Sequence, residues 1–99
     1  MEQTTLASEH FVKGLKALNA DDLAVAEAQF LAALRLLPGR PSVLVNRSVV
    51  YARQNRLAEA LNLADEAVRQ DAGDPLFWLQ KGSVELRLER FEDALASFD

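Results

Sequence analysis

The sequence predicts an all-α fold in which helical hairpins stack in a row. Small residues recur at a fixed interval of 34 residues, at Gly14, Ser48 and Gly82. Between them, apolar residues recur at three- and four-residue steps, as they do along one face of an α-helix. Polar segments that contain Gly, Pro, Asn or Asp separate the apolar stretches. Each unit of 34 residues is therefore expected to hold two helices and a turn.

Start and stop signals place these helices along the chain. Pro38 and Pro41 end the first pair of helices and begin the second pair. Asp74 supplies a capping carboxylate, and Pro75 stands at the first helical position, where its missing N–H is not needed. The predicted helices span 5–19, 22–37, 41–54, 57–71, 75–88 and 91–99.

Other positions repeat at the same interval and indicate how the two helices of a unit pack. The alanines Ala26, Ala60 and Ala94 face the small series from the second helix, so both sides allow a close approach. Large and aromatic positions repeat in the same way: His10, Leu44 and Trp78, and then Phe30, Ala64 and Phe98. These positions are interpreted as packing positions.

The repeat of 34 residues, with Trp78, Lys81, Gly82, Phe91, Ala94 and Phe98 in its third unit, resembles the tetratricopeptide repeat family. The resemblance implies a right-handed superhelical solenoid of about six helices, in a single domain. Its repeats are expected at 7–40, 41–74 and 75–99, the last one truncated, as in a fragment of a longer protein. The chain departs from the family pattern at His10, where Trp is preferred, at Ala17 and Glu85, where Tyr is preferred, and at Ala72, where Pro is common.

Composition excludes several classes of protein. The 99 residues include no Cys, which rules out disulfide and zinc–cysteine scaffolds. With 49% apolar residues the chain is too hydrophobic for disorder, yet its apolar runs are too short to cross a membrane. The formal net charge of −4, without segregation of basic residues, argues against a nucleic-acid partner, including RNA. No secretion signal follows Met1, so a cytoplasmic location is expected.

The sequence carries little that points to catalysis. His10 has no second His or Cys at a metal-ligand spacing, and its position in the repeat makes it a packing residue. Asp21 and Asp22 are adjacent at a helix start, where carboxylates cap the helix and interact with its dipole. No phosphate-binding loop or nucleophile motif is present. The chain is therefore expected to be no enzyme and to need neither metal nor cofactor.

The family resemblance implies that the first helices of the units line a groove that holds peptides. The register places these residues in it: Phe11, Leu15, Leu18, Val45, Asn46, Val49, Arg53, Leu76, Leu79, Gln80, Ser83 and Arg87, with Ser8, Val12, Asn19 and Ser42 beside them. Most of this surface is apolar, which suits an amphipathic helix, while Asn46, Gln80, Arg53 and Arg87 would orient it. Two other arrangements stay open: the apolar residues belong to the core, or they are covered by Thr4 to Leu6 or by another copy of the chain.

The same register disfavours one use of the family, in which two Lys, two Asn and one Arg clamp the C-terminal carboxylate of a heat-shock protein. Asn46 matches one of the five positions. The other four hold Phe11, Leu15, Leu76 and Gln80, which cannot pair with a carboxylate.

A further apolar stripe on the last helix, at Phe91, Leu95 and Phe98, predicts stacking on further repeats or self-association into a homodimer. The alternative is that Phe91 and Phe98 pack inward on Leu79 and Leu86. The function expected is a protein-binding scaffold. The alternative function is an accessory or dimerisation module of a larger enzyme, such as a glycosyltransferase or a methyltransferase.

Overall fold

The computed structural model describes residues 2–99. These residues form six α-helices: α1 (Glu2–Asn19), α2 (Leu23–Leu36), α3 (Pro41–Arg53), α4 (Leu57–Gln70), α5 (Pro75–Arg87) and α6 (Phe91–Phe98). The predicted all-α fold is confirmed, and no helix end differs from its predicted position by more than three residues. The largest difference is at α1, which begins at Glu2, where an acidic side chain in the first turn favours the helix.

Consecutive helices pair into hairpins, and the hairpins stack. Hairpin 1 (α1 and α2), hairpin 2 (α3 and α4) and hairpin 3 (α5 and α6) together make up the described residues. Hairpins join through contacts of α2 with α3 and of α4 with α5, while α3 also touches α1 and α5. The described part of the molecule is elongated, with extents of 43 × 27 × 17 Å. This is the arrangement of a helical-repeat solenoid, in which each unit contacts its sequence neighbours.

The turn inside each hairpin has the same backbone geometry. Asp21, Asn55 and Glu89 lie in the left-handed region, with φ of 59°, 61° and 62°. The N–H of the next residue donates to the carbonyl five positions back, as from Asp22 to Ala17 at 2.8 Å, and the other two turns repeat this bond. The bond belongs to a Schellman motif, which satisfies the carbonyls at a helix end. Because the left-handed residue is never Gly here, the usual sequence signal for this turn is absent.

The expected helix caps are present at two of the helix starts. The Asp74 carboxylate accepts a hydrogen bond from the N–H of Leu76 at 2.9 Å, directly ahead of α5. The Asp22 carboxylate accepts one from the N–H of Val25 at 3.3 Å and caps α2. The backbone of Asp21 instead adopts the left-handed conformation of the turn, so the two adjacent aspartates have different structural roles.

The small positions bring the helices of a hairpin into close contact, as predicted. A Cβ atom on Gly82 would lie 2.5 Å from Cε1 of Phe98, and one on Gly14 would lie 2.6 Å from Cδ1 of Phe30. Hairpin 2 places Ser48 at the position of these glycines, and the Ser48 hydroxyl donates to the Ala60 carbonyl at 2.7 Å. The repeat register therefore places a small residue opposite the second helix in each of these hairpins.

Every core cluster found among the described residues is shared between neighbouring hairpins. The first joins hairpin 1 to Val43 and Val50 of α3. The other two join hairpin 2 to Phe77 and to Val84 of α5. A single hairpin therefore lacks the contacts that would bury its own apolar residues.

Replacing Gly14 with Ala should destabilise the protein more than replacing Gly82. Phe30 is fully buried and cannot move away from a new methyl group, so we expect a loss of about 1–2 kcal/mol at Gly14. Phe98 is 46% exposed and its ring can turn outward, while Ala improves helix propensity, so Gly82→Ala should be nearly neutral. Thermal unfolding of both variants measures this difference. Equal losses at the two positions would contradict the packing contrast.

Replacing Glu89 with Gly should stabilise the protein. A non-glycine residue in the left-handed region costs about 1–2 kcal/mol, and the greater freedom of Gly in the unfolded chain offsets part of that gain. We expect a net increase of about 0.5–1 kcal/mol in chemical denaturation. Glu92→Gly, in the first turn of α6, is the matched control and should destabilise the protein by about 1 kcal/mol. A loss of stability in both variants would refute the account of this turn.

Candidate peptide-binding groove

The predicted groove follows α1, α3 and α5, the first helices of the hairpins. Phe11, Leu15, Val45 and Val49 are half-buried along it and pack against the core clusters of hairpins 1 and 2. Phe11 also contacts the buried ring of Phe30, with the ring centroids 5.9 Å apart. These residues present part of their apolar surface and depend on the core for their position.

Leu18 lies elsewhere than expected. It is only 6% exposed and belongs to the first core cluster. The reason is that α3 contacts α1 and contributes Val43 and Val50 to the same cluster. Leu18 is therefore a core residue and is not available to a ligand.

The most exposed apolar residues of the predicted groove are on α5. Leu76 is 66% exposed and Leu79 is 53% exposed. On α1, the neighbouring Val12 is 46% exposed. Thr4 to Leu6, which the sequence left open as a cover, are instead the first turns of α1, and Leu6 is itself exposed.

The polar residues of the predicted groove are engaged within the protein. The Asn46 amide donates to the Ser42 carbonyl at 2.8 Å, and the Ser83 hydroxyl donates to the Leu79 carbonyl at 2.8 Å, both within one helix. The Gln80 amide reaches across from α5 and donates to the Ser48 hydroxyl at 3.2 Å.

Arg53 and Arg87 tie successive hairpins together. The Arg53 guanidinium donates to the Leu18 carbonyl at 2.8 Å, and that of Arg87 donates to the Ala52 carbonyl at 2.6 Å. Each arginine thereby binds the end of the first helix in the preceding hairpin. Arg53 also lies 3.7 Å from the Asp21 carboxylate. That these arginines orient a ligand stays a prediction. The sequence analysis did not predict their contacts with backbone carbonyls, although the two arginines occupy the same repeat position.

Ion pairs also connect neighbouring hairpins, and the sequence analysis did not predict them. Arg47 of α3 lies 3.0 Å from the Glu27 carboxylate of α2, which also accepts a hydrogen bond from Tyr51 at 3.1 Å. One repeat later, Lys81 of α5 lies 3.0 Å from the Asp65 carboxylate of α4. The recurrence of a basic residue at 47 and 81 was visible, but the acidic partners occupy different repeat positions and so gave no repeating signal.

The stripe predicted on α6 is exposed. Phe91, Leu95 and Phe98 are 62%, 66% and 46% exposed. The alternative of complete inward packing on Leu79 and Leu86 is wrong, because those two residues are exposed as well. Phe98 does contact Gly82 with part of its ring.

The ionisable groups with displaced pKa values lie along α4 and its N-cap, away from the predicted groove. A hydrogen bond from Arg56 lowers the pKa of Glu59, and the same bond raises the pKa of Arg56. Hydrogen bonds from Gln70 and Arg69 lower the pKa of Glu66. All of these contacts are short-range pairs on an exposed helix surface, which contribute little to stability.

The structure gives His10 a packing environment. It is half-buried, and its Nδ1 atom lies 2.7 Å from the side-chain oxygen of Gln29 on α2. Across residues 2–99, no group of three or more His, Cys, Asp or Glu side chains could hold a metal ion. None of the helices in this range is long and apolar enough to span a membrane.

Comparison with known proteins identifies the family. A family model of the tetratricopeptide repeat matches residues 11–75 and, in a second overlapping match, residues 53–99. The chain therefore belongs to the tetratricopeptide repeat family, whose members serve as protein–protein interaction modules. A search of curated proteins finds no significant match.

Solved structures of low sequence identity share the fold. The tetratricopeptide repeat domain of Arabidopsis OM64 has a TM-score of 0.90 at 19% identity, over 97% of this chain and 79% of that one. The yeast Sti1 TPR2B domain, in a complex named for pHsp70, has a TM-score of 0.88 at 17% identity, over 94% and 74%. The first such domain of Spaghetti (RPAP3), bound to the HSP90 peptide SRMEEVD, has a TM-score of 0.89 at 20% identity, over 95% and 75%.

Removing the guanidinium of Arg53 or Arg87 should loosen the contact between hairpins. We expect Arg53→Met and Arg87→Met each to destabilise the protein by about 1 kcal/mol, because each loses a charge-assisted hydrogen bond to a helix end. Arg69→Met, which affects only a pair within α4, should stay within about 0.5 kcal/mol of the parent. Chemical denaturation measures all three variants. Losses no larger than that of the control would show that the two arginines do not tie the hairpins together.

Proposed function

We propose that this chain is a protein-binding module whose predicted groove takes an amphipathic helix or an apolar peptide segment. The observation that carries the proposal is the exposed apolar surface along α1 and α5, at Val12, Leu76 and Leu79. By the repeat register, the half-buried apolar residues of α1 and α3 are expected to lie between these exposed side chains. A helix with one apolar face would bury these side chains, as in helix-in-groove recognition.

The residues of the groove argue against an acidic peptide tail as the ligand. Sti1 and RPAP3 have the same fold and were solved with chaperone peptides, which is a property of those proteins. Here, four of the five positions expected to hold a terminal carboxylate are occupied by Phe11, Leu15, Leu76 and Gln80. The Asn46 amide at the fifth position already donates to a backbone carbonyl. A carboxylate placed there would lose its hydration without gaining a cation.

Three further expectations from the sequence stay predictions. The net charge of −4 continues to argue against nucleic acid as the partner. Self-association through Phe91, Leu95 and Phe98 can be measured by light scattering of the unmodified chain over a concentration series. The expected cytoplasmic location can be tested by direct imaging.

A peptide-display selection on the immobilised chain tests the groove. We expect selected peptides to be amphipathic and to bind Val12→Glu and Val49→Glu at least about tenfold more weakly, because a carboxylate would face their apolar side. Val12 is exposed, so its variant should keep the helical circular dichroism of the parent. The matched control is Val25→Glu on α2, which is similarly exposed but lies outside the groove and should bind normally.

The peptide SRMEEVD serves as a second probe in the same assay, and we expect it not to bind. Selected peptides that bind both groove variants as they bind the parent would refute the proposal. Saturable binding of SRMEEVD that Val12→Glu leaves unchanged would refute the argument from the clamp positions.

A further inference from the structure

The side of α2 that points away from the core is apolar. At 3.6 residues per turn, six positions of α2 lie within an arc of about 120°, opposite the buried Ala26, Phe30 and Ala33. We call this arc the outer face of α2, and it consists of Ala24, Val25, Ala28, Leu31, Ala32 and Arg35. Four of these residues are exposed, and Val25 is 45% exposed. Arg35 is the one charged residue of the face.

The corresponding side of α4 is polar. One repeat later, five of the six positions hold Glu59, Asn62, Asp65, Glu66 and Arg69. Glu59, Asn62 and Arg69 are exposed, although hairpin 2 has a neighbouring hairpin on each side. Stacking therefore leaves these positions uncovered even in the middle of the stack. It follows that the outer face of α2 is not a surface that a neighbouring repeat would cover.

The large aliphatic residues of the outer face have no packing role in the core. Val25 and Leu31 neither belong to nor pack against any of the core clusters found among residues 2–99. At the same repeat positions α4 carries Glu59 and Asp65. Moving aliphatic side chains from water into an apolar contact is favourable, so a partner surface would stabilise this face.

The two ends of the outer face carry opposite charges. Arg35 has no ion pair or hydrogen-bond partner within residues 2–99, whereas its counterpart Arg69 pairs with Glu66 one turn earlier. Asp21 lies in the turn before α2, its side chain is 75% exposed, and its contact with Arg53 is 3.7 Å long. Each end thus has a charge that a partner of opposite charge could bind.

These charges are complementary when a second α2 runs in the opposite direction. Ala28 lies midway between Asp21 and Arg35, seven residues from each. A two-fold axis at Ala28 would therefore place Asp21 of each copy at the level of Arg35 of the other copy. Both ion pairs of such a dimer would be formed by the same two residues.

The apolar residues are complementary in the same arrangement. On one side of the two-fold axis, Val25 would meet Ala32 of the second copy, and on the other side Leu31 would meet Ala24 of the second copy. Each large residue would thus face a small one. Small residues in a helix contact allow the two helices to approach closely.

We infer that the chain forms an antiparallel homodimer through the outer face of α2. The same face of each copy contacts its equivalent, which is an isologous interface. A partner of different sequence would not require residues placed symmetrically about one position, so the symmetry selects a second copy. The interface uses one helix face of each copy, which is less than a standard interface, and the dimer is therefore weak and reversible. It shares no residue with the predicted groove or with the apolar stripe of α6.

Sedimentation velocity of the 99-residue chain at concentrations up to about 1 mM tests the dimer. We expect a reversible monomer–dimer equilibrium that Ala28→Glu weakens at least about tenfold, because two carboxylates would meet at the two-fold axis. Ala28 is exposed and Glu favours helix, so the variant should keep the circular dichroism of the parent. The controls are Asn62→Glu, at the same repeat position of α4, and Leu95→Glu on α6, and both should dimerise as the parent does.

Exchanging the terminal charges tests the direction of the two helices. Asp21→Lys and Arg35→Glu should each weaken the dimer by about threefold or more, since each places like charges opposite one another at both ends. The turn of hairpin 3 has Glu89 at the position of Asp21, so the backbone there accepts a long side chain. A mixture of the two variants has both pairs again and should form a mixed dimer as the parent forms its own.

A disulfide provides a third test, because the chain has no Cys. Under mild oxidation Ala28→Cys should form a disulfide-linked dimer, since a disulfide joins Cβ atoms about 4 Å apart. Asn62→Cys, which is also exposed, is the matched control on α4 and should stay monomeric at the same concentration.

Four results would overturn the inference. They are a chain that stays monomeric up to about 1 mM, a dimer that Ala28→Glu leaves unchanged, single charge variants that dimerise as well as the parent, and equal crosslinking of the two Cys variants. A dimer that Leu95→Glu alone abolishes would assign self-association to α6 and would likewise overturn it. Peptide binding in the groove is measured separately, so either proposal can fail without the other.

Discussion

The structure depends on the sharing of each hydrophobic cluster between two hairpins. Phe30 is fully buried in a cluster to which Val43 and Val50 of the next hairpin contribute. The same dependence recurs where Val84 packs against Leu61. Stability in such a chain comes from contacts between neighbours as much as from the hairpins themselves. It follows that any face without a covering helix keeps its apolar side chains exposed.

Close packing inside each hairpin makes these shared clusters geometrically possible. Gly14 and Gly82 allow an aromatic ring of the second helix to lie directly against the first. Hairpin 2 solves the same problem with Ser48, whose hydroxyl is satisfied by the Ala60 carbonyl and so can be fully buried. A glycine packed against a phenylalanine ring and a serine bonded to a backbone carbonyl thus occupy the same repeat position without changing the fold.

Polar contacts connect each hairpin to the one before it. Arg53 and Arg87 each bind a carbonyl at the end of the preceding first helix, and Arg47 and Lys81 each bind a carboxylate of the preceding second helix. These contacts run in one direction along the chain, from each hairpin to the one before it.

The sequence by itself determined the fold, because the spacing of small, aromatic and apolar residues is visible along the chain without knowing which residues are in contact. The 34-residue spacing of Gly14, Ser48 and Gly82 placed the hairpins, and Pro38, Pro41, Asp74 and Pro75 placed helix ends close to those of the structure. Only the tertiary structure decided which apolar residues are accessible: Leu18 and Leu86 share a repeat position, yet one is buried and the other is half exposed. It also decided that Arg53 and Arg87 bind backbone carbonyls, because those acceptors lie 35 residues away in sequence and carry no side-chain signal. The burial of these side chains depends on whether the first helix of the following hairpin packs against them, and that contact exists only in the stacked structure.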